Sequence, residues 1–120
     1  MPNKPHILLI MADQLRSDCI GITGHPLVKT PNIDYLANQG ILFENAYTTS
    51  PLCVPARISL TTGLYPHNSN LWQNDSTLPL DSDTYMHRLK ESGYTTCSIG
   101  KNHLYPMENC NLYLNHPNYN

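Results

Sequence analysis

The chain has 120 residues, the size of one ordinary domain. Seven Lys and Arg against nine Asp and Glu leave a formal charge of −2, with no basic stripe for nucleic acid and no acidic tail. The N-terminal apolar run stops at Asp13, which is too short for a membrane span and lacks the cleavage-site pattern of a signal peptide. The expectation is a cytoplasmic chain with neither a nucleic-acid nor a membrane partner.

Residues 6–12, HILLIMA, read as a strand buried on both faces of a parallel sheet. The run gives way to a polar cluster of Asp13, Gln14, Arg16, Ser17 and Asp18. Thr30-Pro31 then supplies a helix N-cap and a first-turn proline. Ile33, Leu36 and Ala37 give the i, i+3, i+4 stripe, and Gly40 ends the helix. ILFENAY, residues 41–47, predicts a second strand. Pro55 opens a second helix that carries Ile58, Leu60 and Thr61 toward Gly63. After a His-, Asn-, Ser- and Pro-rich loop over 66–83, Ser82 or Asp83 caps a third helix through Tyr85, Met86, Leu89 and Lys90. Gly93 ends it, and YTTCSI, residues 94–99, predicts a β-branched third strand. Beyond Lys101 neither period persists, and the asparagine-rich tail reads as loop.

Strands alternating with helices predict an α/β fold with a mostly parallel sheet flanked by helices. In such sheets, sites form beyond the carboxyl ends of the strands. Asp13 follows the first strand, Cys53 the second, and Lys101 and His103 the third.

Cys19, Cys53, Cys97 and Cys110 lie far apart, with no C-x-x-C and no zinc-ligand spacing to a histidine. A disulfide framework does not suit a cytoplasmic chain, and three of the four read as ordinary buried or half-buried thiols. Cys53 stands apart, in SPLCVPARISLTTG, residues 50–63. With Pro55 in the first helical turn, Cys53 falls at or next to the N-cap, facing free backbone N–H groups and the positive end of the helix dipole. Arg57, four residues on, shares its helix face. A tyrosine-phosphatase loop needs its arginine where Ser59 stands, and a thioredoxin-type site needs a second nearby cysteine. Geometry alone leaves two readings: a buried structural cysteine, or a nucleophile beside an oxyanion site.

PLCVPARISLTTG resembles the sulfatase signature, C-x-P-(S/A)-R followed by an apolar pair and Thr-Gly. GYTTCSIGKNHL resembles the second signature of that family, G-Y-x-T-x-x-x-G-K-x-H. GHPLVKTPNIDYLANQGILFENAY is similar to the stretch that links the family's first metal ligand to its nucleophile. The similarity runs from about His6 to Leu104. IMADQL and SPLCVPAR look closest to the branch of choline sulfatases and phosphonate monoester hydrolases.

The resemblance implies an alkaline-phosphatase-like α/β fold and a nucleophile that is not a thiol. In that family a maturation enzyme recognises C-x-P-x-R in the unfolded chain and oxidises the cysteine to Cα-formylglycine, whose aldehyde hydrates to a gem-diol. One hydroxyl attacks sulfur and expels the alcohol. Deprotonation of the other then re-forms the aldehyde and ejects sulfate.

Carried onto this sequence, Cys53 is the nucleophile and also a metal contact. Arg57 orients the diol, Lys101 neutralises sulfate charge, and His103 is the base for the second hydroxyl. Asp13 holds a hard divalent cation, calcium by its oxygen chemistry. Many sulfatases follow that aspartate with a second one, whereas this chain has Gln14, which either ligates through its amide oxygen or caps a loop. Asn74 falls where the choline-sulfatase branch places a substrate-facing asparagine; a turn residue is the other reading. Arg16 either faces the site or forms an ordinary salt bridge, and His67 reads as a structural or loop-exposed residue. Asn102 stands where the family often has a larger or more hydrophobic side chain.

Family members run to several hundred residues, so residues 1–120 are expected to be the N-terminal part of a sulfatase catalytic domain, with the remaining metal ligands and the leaving-group acid downstream. The expected reaction is cleavage of a small sulfate monoester to alcohol and sulfate. Hydrolysis of a phosphonate monoester or phosphodiester, and a non-catalytic truncated chain, are the alternatives. The specific ester and the oligomeric state stay open.

Overall fold

A computed structural model describes residues 4–104 and divides the chain into two compact units, Met1–Ala46 and Tyr47–Asn120. Each is built on helices. Among the described residues none is long and apolar enough to cross a membrane.

In the first unit a short 3-10 turn, Ser17–Cys19, precedes helix α1, Pro31–Gln39. Pro31 occupies the first helical turn, where its missing N–H costs nothing, and the Gly40 N–H closes the helix on Leu36 O at 3.0 Å. Thr30 precedes the helix as expected but does not cap it with its side chain. Its hydroxyl accepts from the Gly21 N–H at 2.8 Å and donates to Asp34 Oδ1 at 2.7 Å, and the same carboxylate oxygen accepts from Ile22 N–H at 2.9 Å. Thr30 and Asp34 therefore pin the 20–22 loop onto α1. A Cβ at Gly21 would sit 2.6 Å from Asp34 Oδ2, so this close approach requires glycine.

The second unit carries α2, Cys53–Thr62, a short helix α3, Pro66–Ser69, and α4, Tyr85–Glu91. Helix α2 packs against both others. Its inner face presents Val54, Ile58, Ser59 and Thr61, and with Leu78, Met86 and Leu104 its apolar residues form the buried cluster. The α2 helix ends at Gly63, which is left-handed (φ 73°) and bonds back to Ser59 O at 2.8 Å.

Helix α4 is capped by Thr84, whose Oγ1 accepts from His87 N–H at 3.2 Å, and not by Ser82 or Asp83. The Asp83 carboxylate instead pairs with the Arg88 guanidinium. Helix α3 lies inside the segment expected to be loop. Pro66 starts it, and the His67 ring stacks on Tyr65 with centroids 5.5 Å apart.

The three expected strands are the main correction. Residues 6–12, 41–47 and 94–99 form no strand among the described residues. A strand exists through the ladder it makes with a neighbour, and these segments join no such ladder among the described residues. Their apolar side chains face outward: Leu8 is 82% exposed, Ile41 81% and Ile99 93%. Local composition marks them as sheet-forming, but the described residues provide no neighbouring strand.

Candidate functional site

Cys53 is the first residue of α2, and its thiol is exposed. Helix α2 places residue 53 at its open mouth because Leu52, in extended conformation, is the N-cap and Pro55 completes the first turn. Leu52 has no acceptor with which to cap the helix. Asn74 serves in its place: its Oδ1 accepts from the Val54 N–H at 3.1 Å, from twenty residues along the chain. A cap of this type is worth about 1 kcal/mol.

Arg57 lies one turn beyond Cys53, half-buried, and its Nη1 donates to the backbone carbonyl of Lys101 at 2.6 Å. Lys101 is exposed and His103 half-buried. The segment between them is fixed on both sides. Gly100 is left-handed, and Ser98 Oγ donates to Asn102 Oδ1 at 2.5 Å. Asn102 thus closes a local turn where the family often has a larger or more hydrophobic side chain. On the far side, Leu104 is buried, and its carbonyl accepts from Leu78 N–H at 3.0 Å.

His103 itself is left-handed, with φ 52°. Among the described residues only three non-glycines have positive φ: Gln14, Asn70 and His103. Asn70 ends a helix, and both asparagine and histidine tolerate this region; Gln14 and His103 are positions singled out from the sequence as site residues.

Asp13 and Gln14 belong to the first unit, are adjacent and exposed, and Gln14 has φ 55°. A carboxylate and an amide oxygen are the hard donors that calcium takes, so their chemistry fits such an ion as part of a ligand set of six to eight oxygens. Among the described residues no group of three or more His, Cys, Asp or Glu converges as a metal site. Arg16 forms an exposed ion pair with Asp18, Nε to Oδ1 at 2.9 Å and Nη2 to Oδ2 at 2.5 Å. The guanidinium holds the Asp18 carboxyl below the ordinary carboxylate range. Of the two readings of Arg16, the structure takes the salt bridge.

The second unit therefore brings together the start of α2 with Asn74, and Arg57 with the Lys101–His103 segment. Sequence reasoning missed the acceptor role of Asn74, which no local pattern announces. Cys19 is half-buried as expected, Cys97 is exposed instead of buried, neither lies in a comparable setting, and Cys110 lies outside the described residues.

The Sulfatase family model matches residues 5–118, and the chain belongs to the sulfatase family, within the alkaline-phosphatase-like superfamily. It is 40% identical over 107 residues to an arylsulfatase of Clostridium perfringens, covering 88% of this chain and 22% of that protein. It is 42% identical over 103 residues to an ulvan-active sulfatase of Formosa agariphila, covering 86% of this chain and 20% of the relative. Among solved structures it resembles the phosphonate monoester hydrolase of Agrobacterium radiobacter, with a TM-score of 0.72 and 42% identity over 76% of this chain and 18% of that one. This likeness supports the alkaline-phosphatase-like fold. The chain spans about a fifth of the length of these relatives.

Proposed function

We propose that this chain is the nucleophile-bearing N-terminal portion of a longer sulfatase that cleaves a small sulfate monoester to alcohol and sulfate. The observation that carries the reading is the Arg57–Lys101 bond, which joins the helix opened by Cys53 to the segment holding Lys101 and His103. Membership of the sulfatase family supports it.

In this reading residue 53 is converted by a maturation enzyme to formylglycine, whose hydrate supplies one hydroxyl to attack sulfur and a second to drive release. Its exposed position at the first turn of α2 leaves room for the ester. Arg57 fixes the orientation of residue 53 from one turn along the helix. Lys101 offsets negative charge on the sulfate, and His103 takes the proton from the second hydroxyl, so that the C–O bond re-forms as carbonyl and sulfate leaves. Asn74 faces the substrate with its remaining amide donors. Asp13, with Gln14 beside it, would hold a divalent cation, calcium by its donor chemistry, which would polarise the ester oxygens.

A phosphonate monoester is the second reading, favoured by the structural likeness to an enzyme of that name. Purified full-length protein, co-expressed with a maturation enzyme, should be assayed against an aryl sulfate and an aryl phosphonate monoester. Sulfate release that disappears in Cys53→Ala supports the first reading. Faster turnover of the phosphonate supports the second, and turnover of neither ester contradicts both.

A further inference from the structure

The start of α2 has an unusual hydrogen-bond balance. An α-helix normally leaves its first amides to be capped locally. Here Pro55 has no N–H, and Ala56 N already bonds to Leu52 O at 3.1 Å. Only the amides of Cys53 and Val54 remain in the first turn. The Val54 amide takes Asn74 Oδ1. The Cys53 amide has no partner among the described residues. Beside the Ala56–Leu52 backbone bond, the turn on which residue 53 sits is held by one side chain from a distant loop.

Asn74 is itself held for this task. It lies in the turn Gln73–Ser76, closed by Ser76 N–H to Gln73 O at 3.1 Å and by Gln73 N–H to Ser76 Oγ at 3.2 Å. On one side of that turn Leu71 packs against the buried cluster. On the other, Leu78 is 2% exposed and bonded through its N–H to Leu104 O. The acceptor oxygen is thus presented by a loop anchored at both ends. Its target is equally fixed, because Val54 is fully buried.

We propose that Asn74 is a positioning residue for the nucleophile. By holding the Val54 N–H, its carboxamide oxygen keeps the first turn of α2 closed and so fixes the backbone that carries residue 53. The proposal rests on residue 53 being the nucleophile. It gives the side-chain oxygen of Asn74 a task separate from any contact its NH2 group makes with substrate. Without the bond, the first turn can open, and residue 53 loses its fixed approach to the ester.

Three substitutions in the full-length enzyme separate the two tasks. Asn74→Ala removes both the oxygen and the NH2. Asn74→Asp keeps an acceptor that caps helices as well as asparagine does and removes the donor. Asn74→Gln shifts the same oxygen by one methylene and serves as a milder variant should the alanine form fold poorly. Two readouts are needed: amide hydrogen exchange at Val54, followed by mass spectrometry, and kcat separately from KM for an aryl sulfate, with conversion of residue 53 checked to be equal.

Asn74→Ala is expected to exchange Val54 about five- to tenfold faster and to lose kcat by on the order of tenfold or more. Asn74→Gln should move the same way less far, and Asn74→Asp should restore slow exchange and part of kcat while KM rises, because a carboxylate replaces the NH2 group that faces the substrate. Unchanged Val54 exchange in Asn74→Ala overturns the proposal. So does an Asn74→Asp enzyme whose Val54 exchanges as fast as in the alanine form, since an acceptor at residue 74 would then not hold the helix. A wild-type enzyme without turnover would sink the functional reading, while Val54 exchange would still decide whether Asn74 holds the helix.

Discussion

Arg57 on α2 donates through Nη1 to the backbone carbonyl of Lys101, 2.6 Å away and 44 residues later in the chain. This bond ties together the two stretches that carry the sulfatase signatures. One end is a half-buried guanidinium one turn from Cys53, and the other is the main chain two residues before His103.

A planar fork of donors can serve the Lys101 carbonyl and residue 53 at once, whereas an ammonium is a compact charge on a flexible stem. Arg57→Lys in the full-length enzyme should therefore lose at least about tenfold in kcat/KM, and Arg57→Ala on the order of a hundredfold. Steady-state kinetics with an aryl sulfate check this. An Arg57→Lys enzyme with wild-type kcat/KM would show that charge alone suffices.

His103 offers a way to separate chemistry from folding. Its φ of 52° is a region that asparagine tolerates and β-branched residues avoid. His103→Asn should keep the melting temperature of the wild type while kcat falls by roughly 10²- to 10⁴-fold, the range of a lost general base. His103→Val should lose both. If His103→Asn keeps full kcat, the base lies elsewhere.

The metal assignment is tested through Asp13. Asp13→Ala should lower bound calcium and activity together, measured by elemental analysis of the dialysed full-length protein and by turnover with added calcium. Gln14→Ala should have the smaller effect, since a neutral amide oxygen gives up less binding energy than a carboxylate. Wild-type calcium content in Asp13→Ala would remove this residue from the ligand set.

Residues 1–120 produced alone should associate or remain loosely folded. Leu8, Ile10, Ile41, Phe43 and Ile99 are all more than three-quarters exposed, and among the described residues the buried apolar cluster holds only Val54, Ile58, Leu78, Met86 and Leu104. Binding of a hydrophobic dye and a broad thermal transition are expected, with no hydrolysis of sulfate esters. A monomer that melts cooperatively and turns over an aryl sulfate would contradict this.

What was legible in the sequence was what is decided within one helical turn. Pro31 and Gly40 bracket α1 and Gly63 ends α2 through local backbone preferences, whereas α2 opens at Cys53, two residues before the Pro55 expected to open it. Caps were harder to read. Thr30 has the right residue type, but its hydroxyl is taken by Gly21 and Asp34. Asp83 has it too, but Arg88 claims its carboxylate and Thr84 does the capping. Asn74 on Val54 and Arg57 on Lys101 were not legible, because contacts 20 and 44 residues apart leave no local period. The expected strands mark the opposite limit: composition favours extended chain over 6–12, 41–47 and 94–99, yet a strand requires a neighbour.

In the proposed reaction Cys53 is a nucleophile precursor and not a thiol in service. Mass spectrometry of the peptide containing residue 53, from active full-length protein made with a maturation enzyme, tests it most directly. The expected peptide has lost the sulfur and gained an aldehyde oxygen at residue 53 alone, in proportion to specific activity, with Cys97 left as thiol. A fully active enzyme whose residue 53 is an unmodified cysteine throughout would contradict the account.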